Sequence, residues 1–141
     1  SIPTWISSPN EFFTIASLIE AEAKLDEDRP LVSSVIRNRL DQNMLLQIDA
    51  TVLYSLQKRK TQVLLIDLQV DSPYNTYKYI SLPPTPISGF GEKSMEAIFN
   101  TPENQYIYYL LTDINGKMTF TENYEEFINL KNKAKDEGVI P

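Results

Sequence analysis

The chain has 141 residues, of which 42% are hydrophobic, and this is enough for a single domain with a buried core. A net charge of -6 disfavours nucleic acid or an anionic membrane surface as the main partner. Cysteine and histidine are both absent, which excludes thiol nucleophiles, Ser-His-Asp catalysis and zinc sites built on those residues. Acid–base chemistry must therefore come from carboxylates, lysine or tyrosine.

The first predicted helix covers residues 9–24. Ser8 as N-cap and Glu11 at the third helical position form a capping box, which is typical of a helix start. Two carboxylates, Glu20 and Glu22, lie within the apolar arc of this helix, where soluble helices seldom place a charge. Helical periodicity alone does not choose between them as a catalytic acid.

The next segments are predicted as loop, helix and short helix. Residues 26–28 are acidic and are expected to form a solvated loop, after which Pro30 opens a second helix. Basic residues at 37–39 favour either contact with the negative end of the helix dipole or contact with a substrate or carboxylate. Asp49 is expected to cap a short helix that ends near Lys58.

Residues 69–91 are predicted to be irregular, because turn formers and prolines dominate the sequence there. A long irregular stretch inside a small domain is usually functional. Ser72, Tyr74, Asn75 and Tyr77 offer hydroxyl and amide groups and aromatic faces that suit a sugar. Composition alone favours turn and core roles for Tyr74, Asn75 and Tyr77.

The C-terminal part is predicted as helix 92–100, a hairpin of strands 106–111 and 117–121, and a last helix capped by Asn123. The fold class is therefore α+β: a mainly helical domain with a small antiparallel hairpin near its C-terminal end.

Several motifs occur in order along the chain: Ala16-Ser17-Leu18-Ile19-Glu20-Ala21-Glu22, Val35–Leu40, Leu46–Tyr54, Asp67-Leu68, Asp71–Tyr77 and Leu82–Ser88. Together they resemble the YceG-like family of endolytic murein transglycosylases. The resemblance covers residues 14–120, and the sequence departs from the family pattern at Met118, Phe127 and Ile128, where members commonly have His, His and Asn.

This resemblance implies cleavage of peptidoglycan strands between N-acetylmuramic acid and N-acetylglucosamine, leaving a 1,6-anhydromuramyl end. The acid would be the first Glu of the Glu-x-Glu pair, Glu20, with a pKa raised by apolar neighbours. One carboxyl would suffice because the substrate's own C6 hydroxyl is the nucleophile. The expected substrate-binding residues are Gln47, Asp49, Ser72, Tyr74, Asn75 and Tyr77, and neither a metal nor another cofactor is expected.

The resemblance also implies a setting. Residues 1–141 would be a single catalytic domain excised from a parent that is anchored at the extracytoplasmic face of the bacterial membrane. Glycan strands would be its main partner and peptidoglycan synthases further ones, with no nucleic acid and no membrane contact except through the parent's anchor. Two other readings are a weakly active glycan-binding or scaffold domain and a two-carboxylate hydrolase that uses Asp49 or Asp71.

Overall fold

The computed structural model describes all 141 residues. It contains five α-helices, and its only sheet has two antiparallel strands. In chain order the elements are α1 Pro9–Glu22, α2 Arg29–Asp41, α3 Asp49–Leu56, α4 Glu92–Phe99, β1 Tyr108–Leu111, β2 Met118–Thr121 and α5 Tyr124–Asp136. Two short 3₁₀ turns cover Asp26–Asp28 and Leu65–Gln69. The predicted α+β class, mainly helical with a hairpin near the C-terminal end, is confirmed.

Helix α1 is the centre of the core. The Ser8 hydroxyl accepts the backbone N–H of Glu11 at 3.2 Å, so the predicted N-cap is confirmed. The helix packs against α2, α3 and α4, and its buried apolar residues are Phe12, Ile15, Ala16, Leu18 and Ile19. The core of the domain is therefore built around α1.

Arg39 joins α2 to two other parts of the chain. Its Nε donates to the carbonyl of Ile107 at 2.8 Å, and its Nη1 donates to the carbonyls of Leu45 at 3.1 Å and Leu46 at 2.8 Å. The residue is only 8% exposed. Neither of the two predicted roles for the basic residues included contact with backbone carbonyls. These hydrogen bonds hold the residues that precede α3 next to the residue that precedes β1.

The prediction of a solvated loop at residues 26–28 is wrong for Asp28, which is buried. Its carboxylate is fully buried and accepts hydrogen bonds from Lys117 Nζ at 2.8 Å and from the backbone N–H of Met118 at 3.0 Å. The hairpin turn approaches so closely that a Cβ on Gly116 would lie 2.9 Å from Cβ of Lys24. A buried carboxylate therefore anchors β2 to the loop between α1 and α2.

The hairpin pairs Tyr108 with Thr121 and Leu111 with Met118. Helix α5 packs on β1, where the rings of Tyr108 and Phe127 stack with centroids 5.1 Å apart. Asn123 accepts the N–H of Glu126 and caps α5 as predicted. None of the helices combines the length and apolarity that a membrane crossing requires.

Candidate active site

A cleft of about 440 Å³ opens where the end of α1, the start of α3, the hairpin and α5 meet. We call it the Glu22 cleft. Its lining contains two carboxylates, two cations and four tyrosines, and comprises Glu22, Arg39, Leu46, Gln47, Asp49, Tyr77, Tyr108, Tyr109, Tyr124, Phe127 and Lys131. Aromatic faces beside hydrogen-bonding groups suit a carbohydrate, whose rings have apolar faces and polar edges.

Glu22 is the last residue of α1, and its partly buried carboxyl faces the cleft. Desolvation raises the pKa of this carboxyl, and the nearby charge of Asp49 raises it further. A hydrogen bond of 2.6 Å from the Tyr109 hydroxyl opposes the shift without cancelling it. Glu22 therefore keeps its proton to a higher pH than an ordinary glutamate, as a general acid must.

Asp49 also lines the Glu22 cleft; it belongs to the first turn of α3 and is exposed. It does not cap the helix as predicted, because Ile48 occupies the N-cap position. Its carboxylate instead accepts the Tyr77 hydroxyl at 2.5 Å. Burial and this hydrogen bond raise the pKa of Tyr77, so the phenol stays neutral and continues to donate.

Gln47 stands at the edge of the cleft with a φ of 53°, which is unusual for a residue other than glycine. Its backbone N–H donates to the carbonyl of Thr76 at 3.2 Å. The Thr76 hydroxyl in turn contacts the N–H of Ile48 at 2.9 Å and the hydroxyl of Thr51 at 2.8 Å. These bonds hold the irregular segment against α3, and so they bring Tyr77 to the cleft.

Glu20 does not line the Glu22 cleft. Its carboxylate accepts the backbone N–H of Gly91 and the Ser94 hydroxyl, each at 2.9 Å, and lies 3.6 Å from Arg29 Nη2. The hydrogen bond from Gly91 is the main cause that lowers the pKa of Glu20, followed by the bond from Ser94. The expectation that apolar neighbours raise this pKa is therefore wrong: Glu20 is an ionised cap at the N-terminus of α4.

The hydrogen bonds that Glu20 accepts at the N-terminus of α4 predict that its carboxylate contributes to stability in a pH-dependent way. The folded-state pKa of Glu20 is lowered, so the contribution is present above the unfolded value near 4.5 and disappears as the pH falls through the folded value. Because the side chain is 35% exposed, Glu20→Gln should cost only about 0.5 kcal/mol at neutral pH. Thermal unfolding between about pH 3 and pH 7 measures the difference.

Glu122→Gln is the matched control, because Glu122 is exposed and forms no ion pair. A difference between the Glu20→Gln variant and the parent that stays constant through the acid range would contradict the cap assignment.

Asn75, a predicted substrate contact, is fully buried. Its amide nitrogen donates to the carbonyls of Leu68 at 2.9 Å and Val70 at 2.8 Å, and its amide oxygen accepts the N–H of Tyr77 at 3.0 Å. In this structure Asn75 therefore has no exposed surface at which a ligand could bind. The residue shapes the turn that presents Tyr77.

Ser72 and Tyr74, also predicted to bind substrate, lie outside the Glu22 cleft. The Ser72 hydroxyl accepts the N–H of Tyr74 at 3.2 Å, and the Tyr74 hydroxyl is 2.8 Å from the hydroxyl of Thr85. The Tyr74 ring packs on Tyr54 with centroids 4.8 Å apart. These contacts give Ser72 a role in the turn and Tyr74 a role in packing, and composition favoured such a role for Tyr74.

Sequence reasoning missed the cleft residues that come from the hairpin and α5, namely Tyr108, Tyr109, Tyr124, Phe127 and Lys131. Except at Phe127, which departs from the family pattern, no local pattern marks them, because their role depends on how the C-terminal elements pack against α1. The structure gathers no group of three or more carboxylates that could hold a metal ion.

The fold and the cleft define a class of protein: a mainly helical α+β domain with an acidic, tyrosine-lined cleft between its first helix and its hairpin. The sequence model of the YceG-like family matches residues 4–133. The chain belongs to the YceG-like family.

Two curated relatives are both named endolytic murein transglycosylase. The chain is 45% identical over 132 residues to the one from Bacillus subtilis (strain 168), covering 94% of the chain and 35% of the relative. It is 35% identical over 122 residues to the one from Streptococcus pneumoniae serotype 2, covering 83% of the chain and 22% of the relative.

A crystal structure of a yceG-like protein from Listeria monocytogenes superposes with a TM-score of 0.82 at 45% identity. The match covers 86% of this chain and 39% of that one. The chain therefore spans about a third or less of the length of its curated relatives.

Proposed function

We propose that the chain is the catalytic part of an endolytic lytic transglycosylase. It would cleave the bond between N-acetylmuramic acid and N-acetylglucosamine and leave 1,6-anhydromuramyl ends, with Glu22 as the single general acid and base. The observation that carries this proposal is the position of the Glu22 carboxyl in a tyrosine-lined cleft that it shares with Asp49, where desolvation raises the pKa of Glu22. The names of the relatives support the reaction class.

In the first step the Glu22 carboxyl donates its proton to the glycosidic oxygen. The bond from that oxygen to C1 of the muramyl residue breaks, and positive charge develops at C1. In the second step the muramyl C6 hydroxyl oxygen bonds to C1, while the Glu22 carboxylate accepts the hydroxyl proton. Glu22 ends in its starting protonation state, and no water is consumed.

In this proposal Asp49 and Gln47 assist the chemistry. The Asp49 carboxylate shares the cleft with Glu22, so its negative charge stabilises a cationic transition state. The Tyr77 hydroxyl holds that carboxylate in place. Gln47 presents an exposed amide that suits the hydroxyl or acetamido groups of a sugar.

Glu20 is the residue that the family resemblance implies, but its surroundings support the opposite protonation state. Two hydrogen bonds and a cation favour its carboxylate and lower the pKa of Glu20, so it holds a proton less readily than an ordinary glutamate. We therefore assign the acid to Glu22 and the α4 cap to Glu20.

A two-carboxylate hydrolase is the second candidate, because Asp49 and Glu22 lie in one cleft. Asp71 is less suited to this role. It lies outside the Glu22 cleft, accepts the Tyr79 hydroxyl at 2.5 Å and is 3.7 Å from Lys78 Nζ. Those contacts lower the pKa of Asp71.

Digestion of purified peptidoglycan, with mass analysis of the new glycan ends, distinguishes these reactions. We expect anhydromuramyl ends, which are lighter by one water than reducing ends. Reducing ends would support the hydrolase instead. Binding without any new ends would support the scaffold reading and contradict the proposal. The matched control digest uses the Glu22→Gln variant.

The substrate sets the proposed location and partners. Because peptidoglycan lies outside the cytoplasm, the chain would act at the extracytoplasmic face of the bacterial membrane. Peptidoglycan synthases as protein partners stay a prediction.

The hydrogen bond from Tyr109 to Glu22 predicts that removing the Tyr109 hydroxyl shifts the pH dependence of the rate. This hydroxyl stabilises the ionised form of Glu22, so Tyr109→Phe should raise the pKa of Glu22 further. The protonated form of Glu22 then persists to higher pH, so the alkaline limb of the pH–rate profile should move to higher pH. Tyr106→Phe is the control, because that ring lies outside the cleft. An alkaline limb that stays in place, or moves to lower pH, would contradict the assignment.

A further inference from the structure

A second depression lies beside the Glu22 cleft and has a volume of about 560 Å³. We call it the Lys58 groove. Its lining comes from α1, α3, the residues after α3 and the proline-rich segment, and comprises Ala21, Ala50, Leu53, Tyr54, Gln57, Lys58, Arg59, Ile87 and Ser88. Ala21 directly precedes Glu22 and Ala50 directly follows Asp49, so the groove and the cleft take lining residues from neighbouring positions of the same two helices.

The lining of the groove combines apolar and cationic side chains. Five of its residues are hydrophobic, and Lys58 and Arg59 are its two cations. Both cations are exposed, and neither forms an ion pair. Their neighbour Lys60, by contrast, pairs with Asp67. Two adjacent unpaired cations in a chain of net charge -6 favour a ligand with a carboxylate.

We infer that the Lys58 groove binds the short peptide that muramic acid residues carry, with a peptide carboxylate at Lys58 and Arg59. This inference rests on the proposed function, because it takes a peptidoglycan strand as the ligand. The lactyl group of each muramic acid is the attachment point of such a peptide. A strand bound across Glu22 therefore places a peptide next to the cleft.

The chemistry of the groove fits that ligand better than a bare sugar. Its hydrophobic lining residues offer apolar surface for the side chains of a peptide, and its volume lies in the range of small-ligand sites. The guanidinium of Arg59 can bind a carboxylate through two parallel hydrogen bonds. Neutral N-acetylglucosamine residues have no group that would use the cations.

The test measures binding in the Glu22→Gln background, so that strands are not cleaved. One probe is a soluble glycan strand that carries its peptides. The other is the same strand after an amidase has removed the peptides, and each strand is labelled at one end. Removal leaves a lactyl carboxylate at the sugar, so the comparison reports the peptide rather than the loss of all charge. We expect tighter binding of the peptide-bearing strands by about fivefold at low salt, with a smaller preference at high salt.

Lys58→Gln combined with Arg59→Gln should reduce that preference to near unity. The matched control is Lys133→Gln combined with Lys135→Gln, which removes the same charge from exposed, unpaired positions on α5. Four results would overturn the inference. The Glu22→Gln chain binds neither strand, or it binds both strands with equal affinity. The variant with Lys58→Gln and Arg59→Gln keeps the full preference for peptide-bearing strands, or it loses affinity for both strands by the same factor.

The outcome is separable from that of the proposed function, because binding requires no cleavage. A peptide preference that depends on Lys58 and Arg59, in a chain that makes no new glycan ends, would support the groove and contradict the enzyme. Anhydromuramyl ends without any peptide preference would do the reverse.

Discussion

Glu22→Gln should reduce the rate at which new glycan ends form by about a hundredfold to ten-thousandfold, the usual contribution of a general acid. The amide cannot donate a proton as the carboxyl does, and it cannot accept the C6 hydroxyl proton. Gln has nearly the same shape as Glu, and its amide oxygen can still accept the Tyr109 hydroxyl. Fold and ligand binding should therefore persist, which circular dichroism and strand binding would check.

Glu20→Gln is the matched variant, two residues earlier on the same helix. It should retain activity within a few fold of the parent, because Glu20 bonds to Gly91 and Ser94 outside the cleft. The opposite pattern, with activity lost on changing Glu20 and kept on changing Glu22, would show that the acid is the residue implied by the family resemblance.

Arg39→Met should destabilise the folded chain by about 3 kcal/mol. The substitution removes a buried guanidinium and leaves the carbonyls of Leu45, Leu46 and Ile107 without its hydrogen bonds. It also removes a cation–π contact in which the guanidinium carbon lies 5.8 Å from the ring centre of Tyr108. Urea unfolding measures the change as a lower transition midpoint.

Arg37→Met is the control for this prediction, on the same helix. Arg37 pairs at 3.3 Å with Glu103, whose side chain is 88% exposed, and its guanidinium carbon lies 5.9 Å from the ring centre of Trp5. Loss of these two contacts should cost only about 1 kcal/mol, because an exposed ion pair and one cation–π contact each contribute little. Equal losses from the two substitutions would contradict the structural role of Arg39.

Several elements could be predicted from the sequence because their signals are local. The capping residues Ser8 and Asn123 lie within three residues of the N–H groups that they accept. The hairpin was recognisable from its apolar strands and the turn between them. The burial of Asp28 was not predictable, because its partner Lys117 lies 89 residues away.

The site was predictable only in part, for the same reason. Gln47, Asp49 and Tyr77 do line the cleft with Glu22. Periodicity placed Glu20 and Glu22 together in an apolar arc but gave no information on their partners. The decisive contacts are distant along the chain: Gly91 is 71 residues from Glu20, and Tyr109 is 87 residues from Glu22.

The assignment of the acid depends on the order of two pKa values in one helix. Carbon-13 NMR titration of the side-chain carboxyls, assigned with the Glu20→Gln and Glu22→Gln variants, measures both values in the parent chain. We predict that the pKa of Glu22 lies above that of an ordinary glutamate and the pKa of Glu20 below it. Titration of Glu20 at a higher pH than Glu22 would contradict the assignment.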